Sequence, residues 1–368
     1  MLLCANPSAQ FYSHQGEIES AVLRVMRGNR FILGAEVEAL EAEFANYIGI
    51  EHAIGVANGT DALELALRSL DIGSGDEVIT VSHTAVATVA AIEAAGATPV
   101  FVDIEPNYYT MDASQLSGVL SERTKAVIAV HIYGQAADIC AIQQFCSANK
   151  LYFIEDVSQA HGAKFQGRRL GSFGDVACFS CYPTKNLGAI GDAGLIATNN
   201  DDLAARLKGL RTYGWVKSHY VSEFAGRNSR LDELQAAILR VKLKYLDQSN
   251  SDRQKIARTY TEALSGLTNM NMPLVRLEAE HVHHLFVVES DTRDELVKFL
   301  ASHEVMAGIH YPLPVHLQPA YFGRIRTSSN MRVTEQISNR ILSLPMYPEL
   351  SDNSQDIIIK LIKSFYHE

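Results

Sequence analysis

Along the first 250 residues, short apolar runs alternate with segments whose apolar residues recur at helical spacing. Asp76–Val81 (DEVITV), Pro99–Ile104 (PVFVDI), Lys125–Tyr133 (KAVIAVHIY) and Leu151–Glu155 read as strands. The near-continuity of the third is what a strand covered on both faces requires. Asp175–Ser180 and Gly194–Thr198 read as two shorter strands, and Asp61–Leu70, Thr84–Ala95, Ile139–Ala148 and Asp201–Arg211 as helices. This rhythm predicts an α/β fold with a mostly parallel central sheet flanked by helices. After Ser229 the pattern changes. Leu231–Tyr245 and Arg253–Leu264 have helical spacing. A strand at Leu285–Val288, a helix over Asp294–His303, a proline-rich loop Tyr311–Pro319 and a last helix Asp356–Tyr366 predict a smaller α+β unit. The expected division is a large domain, 1–250, and a small C-terminal domain, 251–368, with the N-terminal segment free to pack on the small one.

Composition narrows the class. Hydrophobic residues are 47% and charged residues 20% of 368, values of a globular chain that exclude collagen, long coiled coil and wholesale disorder. The net charge is −10, from 42 acidic and 32 basic residues. That balance gives no electrostatic footprint for nucleic acid or an anionic membrane surface. The first twenty residues lack the basic start of a secretory signal, and no apolar run is long enough to span a bilayer. Five cysteines without zinc-type spacing fit a reducing, cytoplasmic setting. Cys178 and Cys181 have C-x-x-C spacing, but the run around them reads as a buried strand, so packing thiols are expected there rather than a redox pair.

Three motifs carry chemistry. Asn58-Gly59-Thr60-Asp61 opens a helix, where unpaired N–H groups and the positive end of the macrodipole can hold an anion. Gly59 allows close approach of a phosphate and Thr60 adds a hydroxyl; an ordinary N-cap is the plainer alternative. Phe153-Ile-Glu-Asp156-Val-Ser-Gln159-Ala-His161 puts a carboxylate where an apolar strand ends, at the sheet edge where α/β ligands bind. Ser180-Cys-Tyr-Pro-Thr-Lys185 follows a strand, and a lysine aimed into a cleft with a lowered pKa can form a Schiff base with an aldehyde. An anion cradle, a carboxylate and a lysine in this order are what pyridoxal 5'-phosphate needs: a phosphate site, a partner for its protonated ring nitrogen and an amine for its aldehyde.

The chain resembles the DegT/DnrJ/EryC1/StrS sugar aminotransferases, a branch of the fold-type I pyridoxal-phosphate enzymes. The resemblance runs nearly end to end, through FILGAEVEALEAEFANYIG, GVANGTDALELALRSL, GDEVITVSHT, VHIYGQAADI, FIEDVSQAHGA, FSCYPTKNLGAIGDAG, NSRLDELQAAILRVKL and GIHYPLPVHLQPAY. It implies that Lys185 holds the cofactor aldehyde and carries the proton, Asp156 pairs with the pyridine nitrogen, and Gln159 bonds the phenolic oxygen. Gly59, Thr60 and Ser180 would hold the phosphate. Asn228 would reach the phosphate of a neighbouring subunit, which implies a homodimer with shared active sites. Arg230, His310 and Tyr311 are the candidates for the sugar-nucleotide side. The family's ring-stacking aromatic falls at Ala85, which leaves His83 as the nearest flat ring to take that place.

The resemblance also sets the reaction. Family dehydratases replace the aldimine lysine with histidine, so Lys185 favours transamination. The segment Tyr182-Pro-Thr-Lys185-Asn-Leu-Gly is closer to members acting on 3-keto than on 4-keto sugars. L-glutamate is the expected donor, pyridoxamine phosphate the intermediate, and a nucleotide-linked 3-keto sugar the acceptor. The competing readings are a 4-keto sugar aminotransferase, a non-catalytic regulator or sensor keeping the fold, and a metal enzyme built on His281, His283, His284, His310 and His316. The intact Asp156 and Lys185 argue against the regulator. The histidines have no matching carboxylate spacing.

Overall fold

A computed structural model describes residues 1–368 other than 219, 329 and 368. The apolar runs form β2 to β7 of one sheet, and a strand not expected from the sequence forms β1. These are β1 (His52–Val56), β2 (Glu77–Val81), β3 (Thr98–Val102), β4 (Thr124–Val130), β5 (Tyr152–Asp156), β6 (Val176–Ser180) and β7 (Gly194–Thr198). The order is β1-β7-β6-β5-β4-β2-β3, with the two-residue strand Arg326–Thr327 beside β3. From β6 to β3 the neighbours are parallel, whereas β7 is antiparallel to both β1 and β6. The cause lies in the connection. Residues 181–193 contain no helix, and a loop without a crossover helix returns the chain antiparallel.

Burial on both faces explains the continuous apolar runs. Alternate residues of one strand enter different cores: Ile79, Val127, Phe153 and Ala177 lie in one, Val78, Ala126, Ile154 and Val176 in the other. The helices that matter below are α1 (Pro7–Ser13), α2 (Gly59–Ser69), α3 (Val86–Ala94), α4 (Glu233–Leu243) and α5 (Leu246–Leu264). A third core, including Tyr260, Phe286, Leu300, Leu342 and Ile358, surrounds a small sheet of Met270–Asn271, Phe286–Ser290 and Ile341–Leu344. The N-terminus joins this part: Leu2 pairs with Val305, and the Met346 N–H donates to the Cys4 carbonyl at 3.0 Å.

The differences from expectation are local. Position 250 falls inside α5, which begins at Leu246 rather than near Arg253. β4 stops at Val130, and Tyr133 turns the chain at φ 60°. Cys178 and Cys181 are free thiols without exposure, and burial pushes Cys181 up to about 12. No helix among the described residues is long and apolar enough to cross a membrane.

Candidate active site

The carboxyl ends of β5 and β6 and the N-terminus of α2 meet at a cleft of about 290 Å³. Its lining includes Asn58, Gly59, Thr60, Asp156, Gln159, Ser180 and Lys185, so residues far apart in sequence come together as expected. α2 starts here because Asn58 caps it: the side chain accepts from the Asp61 N–H at 2.8 Å, and the Asn58 carbonyl takes the Ala62 N–H at 3.0 Å. The amides of Gly59 and Thr60 are the first-turn donors that a helix leaves over. Gly59 is required by packing, since a Cβ there would sit 2.5 Å from the Ser180 Cβ.

Asp156 is buried at the end of β5. One carboxylate oxygen accepts from the Thr88 hydroxyl at 2.9 Å and the other from the Ser158 N–H at 3.1 Å. Thr88 lies on α3 and also lines the cleft, as do Thr84 and Ala85. Lys185 sits in the loop after β6, half-buried. Burial pushes its ammonium down to about 8, against the Asp156 carboxylate, which pulls the other way. A lysine so placed has a much larger neutral, nucleophilic fraction near physiological pH than an ordinary lysine. The Gln159 carbonyl oxygen accepts from the Tyr133 N–H at 2.7 Å, and its amide donates to the Tyr311 hydroxyl at 3.0 Å.

The structure does not bring every candidate into this cleft. His83 is buried outside the lining, 2.7 Å from the Tyr133 hydroxyl and edge-on to that ring, while Ala85 lines the cleft. Because Tyr133 donates to the His310 carbonyl, its oxygen accepts from His83. The His310 ring reaches Ser343 at 2.9 Å instead of the cleft. Tyr311, expected toward the substrate, touches Gln159; burial pushes its phenol up to about 12. Asn228 is exposed, pairs through its backbone with Thr212 and does not line this cleft. Arg230 lines a second cleft, of about 380 Å³, with Arg30, Lys208, Arg211, Lys217 and Trp215. No carboxylate is among its described lining residues.

The five histidines of the metal reading each have other work. The rings of His281 and His283 stack at 3.9 Å, His284 faces Asn186, and His316 faces Ser82 and Glu335. Sequence reasoning missed Thr88 and Tyr133 as neighbours of the site. A threonine in a small-residue helix carries no mark of its partner, and neither does a tyrosine in a turn.

The chain is similar to known proteins over nearly its whole length. The profile of the DegT/DnrJ/EryC1/StrS aminotransferase family matches residues 13–363. The chain is 43% identical to a dTDP-3-amino-3,4,6-trideoxy-alpha-D-glucose transaminase of Streptomyces venezuelae, covering 93% of this chain and 90% of that protein. It is 42% identical to a pleiotropic regulatory protein of Geobacillus stearothermophilus, covering 98% and 97%. The solved structure of S. venezuelae DesV in complex with a ketimine intermediate superposes with a TM-score of 0.97 at 40% identity, covering 100% of this chain and 99% of that one.

Proposed function

The chain belongs to the DegT/DnrJ/EryC1/StrS aminotransferase family, and from that premise we propose that it moves an amino group from L-glutamate to C-3 of a nucleotide-linked keto sugar. The observation that carries this reading is the meeting of Lys185, Asp156 and the α2 N-terminus in one cleft. The donor set fits pyridoxal phosphate. The amides of Gly59 and Thr60 and the hydroxyls of Thr60 and Ser180 suit its phosphate, Asp156 its ring nitrogen and Lys185 its aldehyde. When bound, the cofactor supplies an electron-withdrawing ring that acidifies the Cα of the amino acid. Lys185 carries the proton from that carbon, which its lowered pKa suits. Thr88 and Ser158 orient the Asp156 carboxylate. Gln159, fixed by the Tyr133 N–H, has a second amide hydrogen for the phenolic oxygen.

The C-3 preference follows the segment around Lys185 and the activity named for the S. venezuelae relative. The cationic cleft around Arg230 suits a diphosphate, and Trp215 offers a flat ring beside it. In this reading the protein is a homodimer, with Asn228 serving the partner's cofactor phosphate. A purely regulatory role, as the name of the G. stearothermophilus relative would have it, leaves the activated lysine without a use. The test is the purified protein with glutamate and a panel of 3-keto and 4-keto nucleotide sugars, read by 2-oxoglutarate release and NMR of the product. A 3-amino sugar supports the proposal. A 4-amino product refutes the regiochemistry, and no transfer to any member of the panel refutes the substrate class.

A further inference from the structure

The loop that carries Lys185 has a second attachment, one residue beyond the lysine. Asn186 is buried and does not line the cleft. Its side-chain amide donates to the Asn250 side-chain oxygen at 2.8 Å and to the Val282 carbonyl at 3.1 Å. A carbonyl only accepts, so the amide edge is identified and the Asn186 oxygen faces His284 Nδ1, 3.2 Å away. That nitrogen therefore bears the proton, and burial holds His284 neutral in this tautomer. The Asn186 carbonyl accepts from Gln10 of α1 at 3.3 Å. Two residues on, the Gly188 carbonyl accepts from the Lys242 ammonium of α4 at 2.7 Å.

This loop has no regular secondary structure, and glycines at 188 and 191 interrupt it. Its own backbone bonds, among them the Lys185 N–H to the Tyr182 carbonyl and the Ala189 N–H to the Cys181 carbonyl, both at 2.8 Å, are supplemented by ties to four surrounding segments: α1, α4, α5 and residues 282–284. Three of the bonds converge on the side chain of Asn186, whose Cα is one peptide from that of Lys185.

We propose that Asn186 is a positioning residue for Lys185, held by Asn250, Val282 and His284, and that this network sets the lysine's reach into the cleft. It touches none of the reacting groups, so its effect is on geometry. The inference rests on Lys185 being the lysine that holds the cofactor.

The test compares Asn186→Ala with the parent holoenzyme by two readouts. One is the visible circular dichroism of bound pyridoxal phosphate, which reports how the lysine presents the ring. The other is the single-turnover half-reaction with glutamate, with its limiting rate as kcat and its half-saturating concentration as KM. Misplacement by about 1 Å costs on the order of a hundredfold, so kcat should fall at least about tenfold while KM for glutamate changes by less than about threefold, with weakened dichroism. His284→Asn, which keeps an N–H donor near the Nδ1 position, should retain most of the parent rate. His284→Leu, which removes it, should shift both readouts in the direction of Asn186→Ala. A lowered melting temperature with unchanged kcat and dichroism in Asn186→Ala would make the network merely structural and overturn the proposal. Should Asn186→Ala not fold, Asn250→Ala and His284→Leu decide by the same readouts. Lys185→Ala separates the two levels of the argument. If it keeps the parent's visible band and turnover, the lysine reading itself fails. If it loses both while Asn186→Ala matches the parent, only the positioning role fails.

Discussion

Asp156→Asn separates the charge at the sheet edge from the shape of the site. The two carboxylate oxygens have different neighbours, a main-chain N–H and a hydroxyl. The asparagine oxygen would keep the Ser158 N–H. Its amide would face Thr88, whose hydroxyl can turn to donate to Thr84, 3.0 Å away, and accept from the new amide. The fold therefore loses about one hydrogen bond at most, on the order of 1 kcal/mol. The chemistry loses a full negative charge beside the ring nitrogen. At a contact of about 3 Å and an effective dielectric constant of about 20, that attraction is roughly 5.5 kcal/mol, or about four powers of ten in rate. The assay is stopped-flow absorbance of a single turnover with glutamate, paired with denaturant unfolding. The expected result is a rate lower by several orders of magnitude with nearly parental stability. A rate within about tenfold of the parent, 1.4 kcal/mol or less, would refute the role given to Asp156.

Three other predictions follow from the same geometry. Gly59→Ala should raise the dissociation constant for pyridoxal phosphate, measured by fluorescence titration, by at least about tenfold, and overpacking against Ser180 should cost about 1–3 kcal/mol of stability; parental values for both would refute the close approach. Cofactor capture by apoenzyme needs the neutral amine of Lys185, so its rate should rise with pH through a midpoint of about 8 and level off above it; a midpoint near the ordinary lysine value of 10.5 would count against the burial argument. Lys185→Ala and Asn228→Ala chains, each inactive at limiting cofactor, should regain activity when mixed, because one site of a heterodimer then has intact Lys185 and a partner's intact Asn228; confirmed chain exchange without recovery would refute the shared site.

The sheet was legible because strands buried on two faces have nowhere to put polar residues, and the alternation of Val78 and Ile79 between two cores is the physical form of that rule. Smaller elements were less legible. β1 has five residues, His52–Val56, and its apolar pattern merges with the loop into Asn58. The start of α5 was drawn too late, since Leu246 packs in the core of the large sheet and Ile256 in that of the small one, and no proline or glycine marks the start. At the site, Gly59, Asp156 and Lys185 stood out because an anion cradle, a carboxylate and a lysine follow one another in that order, each close to the end of a strand or the start of a helix. The setting of Gln159 was not, because it depends on Tyr133 adopting a positive φ. The stacking place was read from neighbouring letters in the chain. His83 is two residues from Ala85, yet its ring is spent on Tyr133 behind the cleft.

The convergence of the motifs follows from one strand reversal. β7 is antiparallel to both β1 and β6, so those two run in the same direction, and the carboxyl end of β1 shares an edge with the carboxyl ends of β5 and β6. In register, Val56 and Ser180 both pair with Gly194, and Asp156 pairs with Cys178 on the far side of β6. The Asn58-Gly59-Thr60 turn after β1, the hydroxyl of Ser180 ending β6 with Lys185 beyond it, and the carboxylate ending β5 are thereby lined up along one edge. At Gly194 the start of β7 abuts the turn into α2: a Cβ there would lie 2.4 Å from the Asn58 carbonyl oxygen. That oxygen also starts α2 by accepting from Ala62. The glycine that ends the lysine loop thus permits the helix terminus proposed to hold the phosphate, and the spacing between Lys185 and Gly194 belongs to the site as much as either residue does.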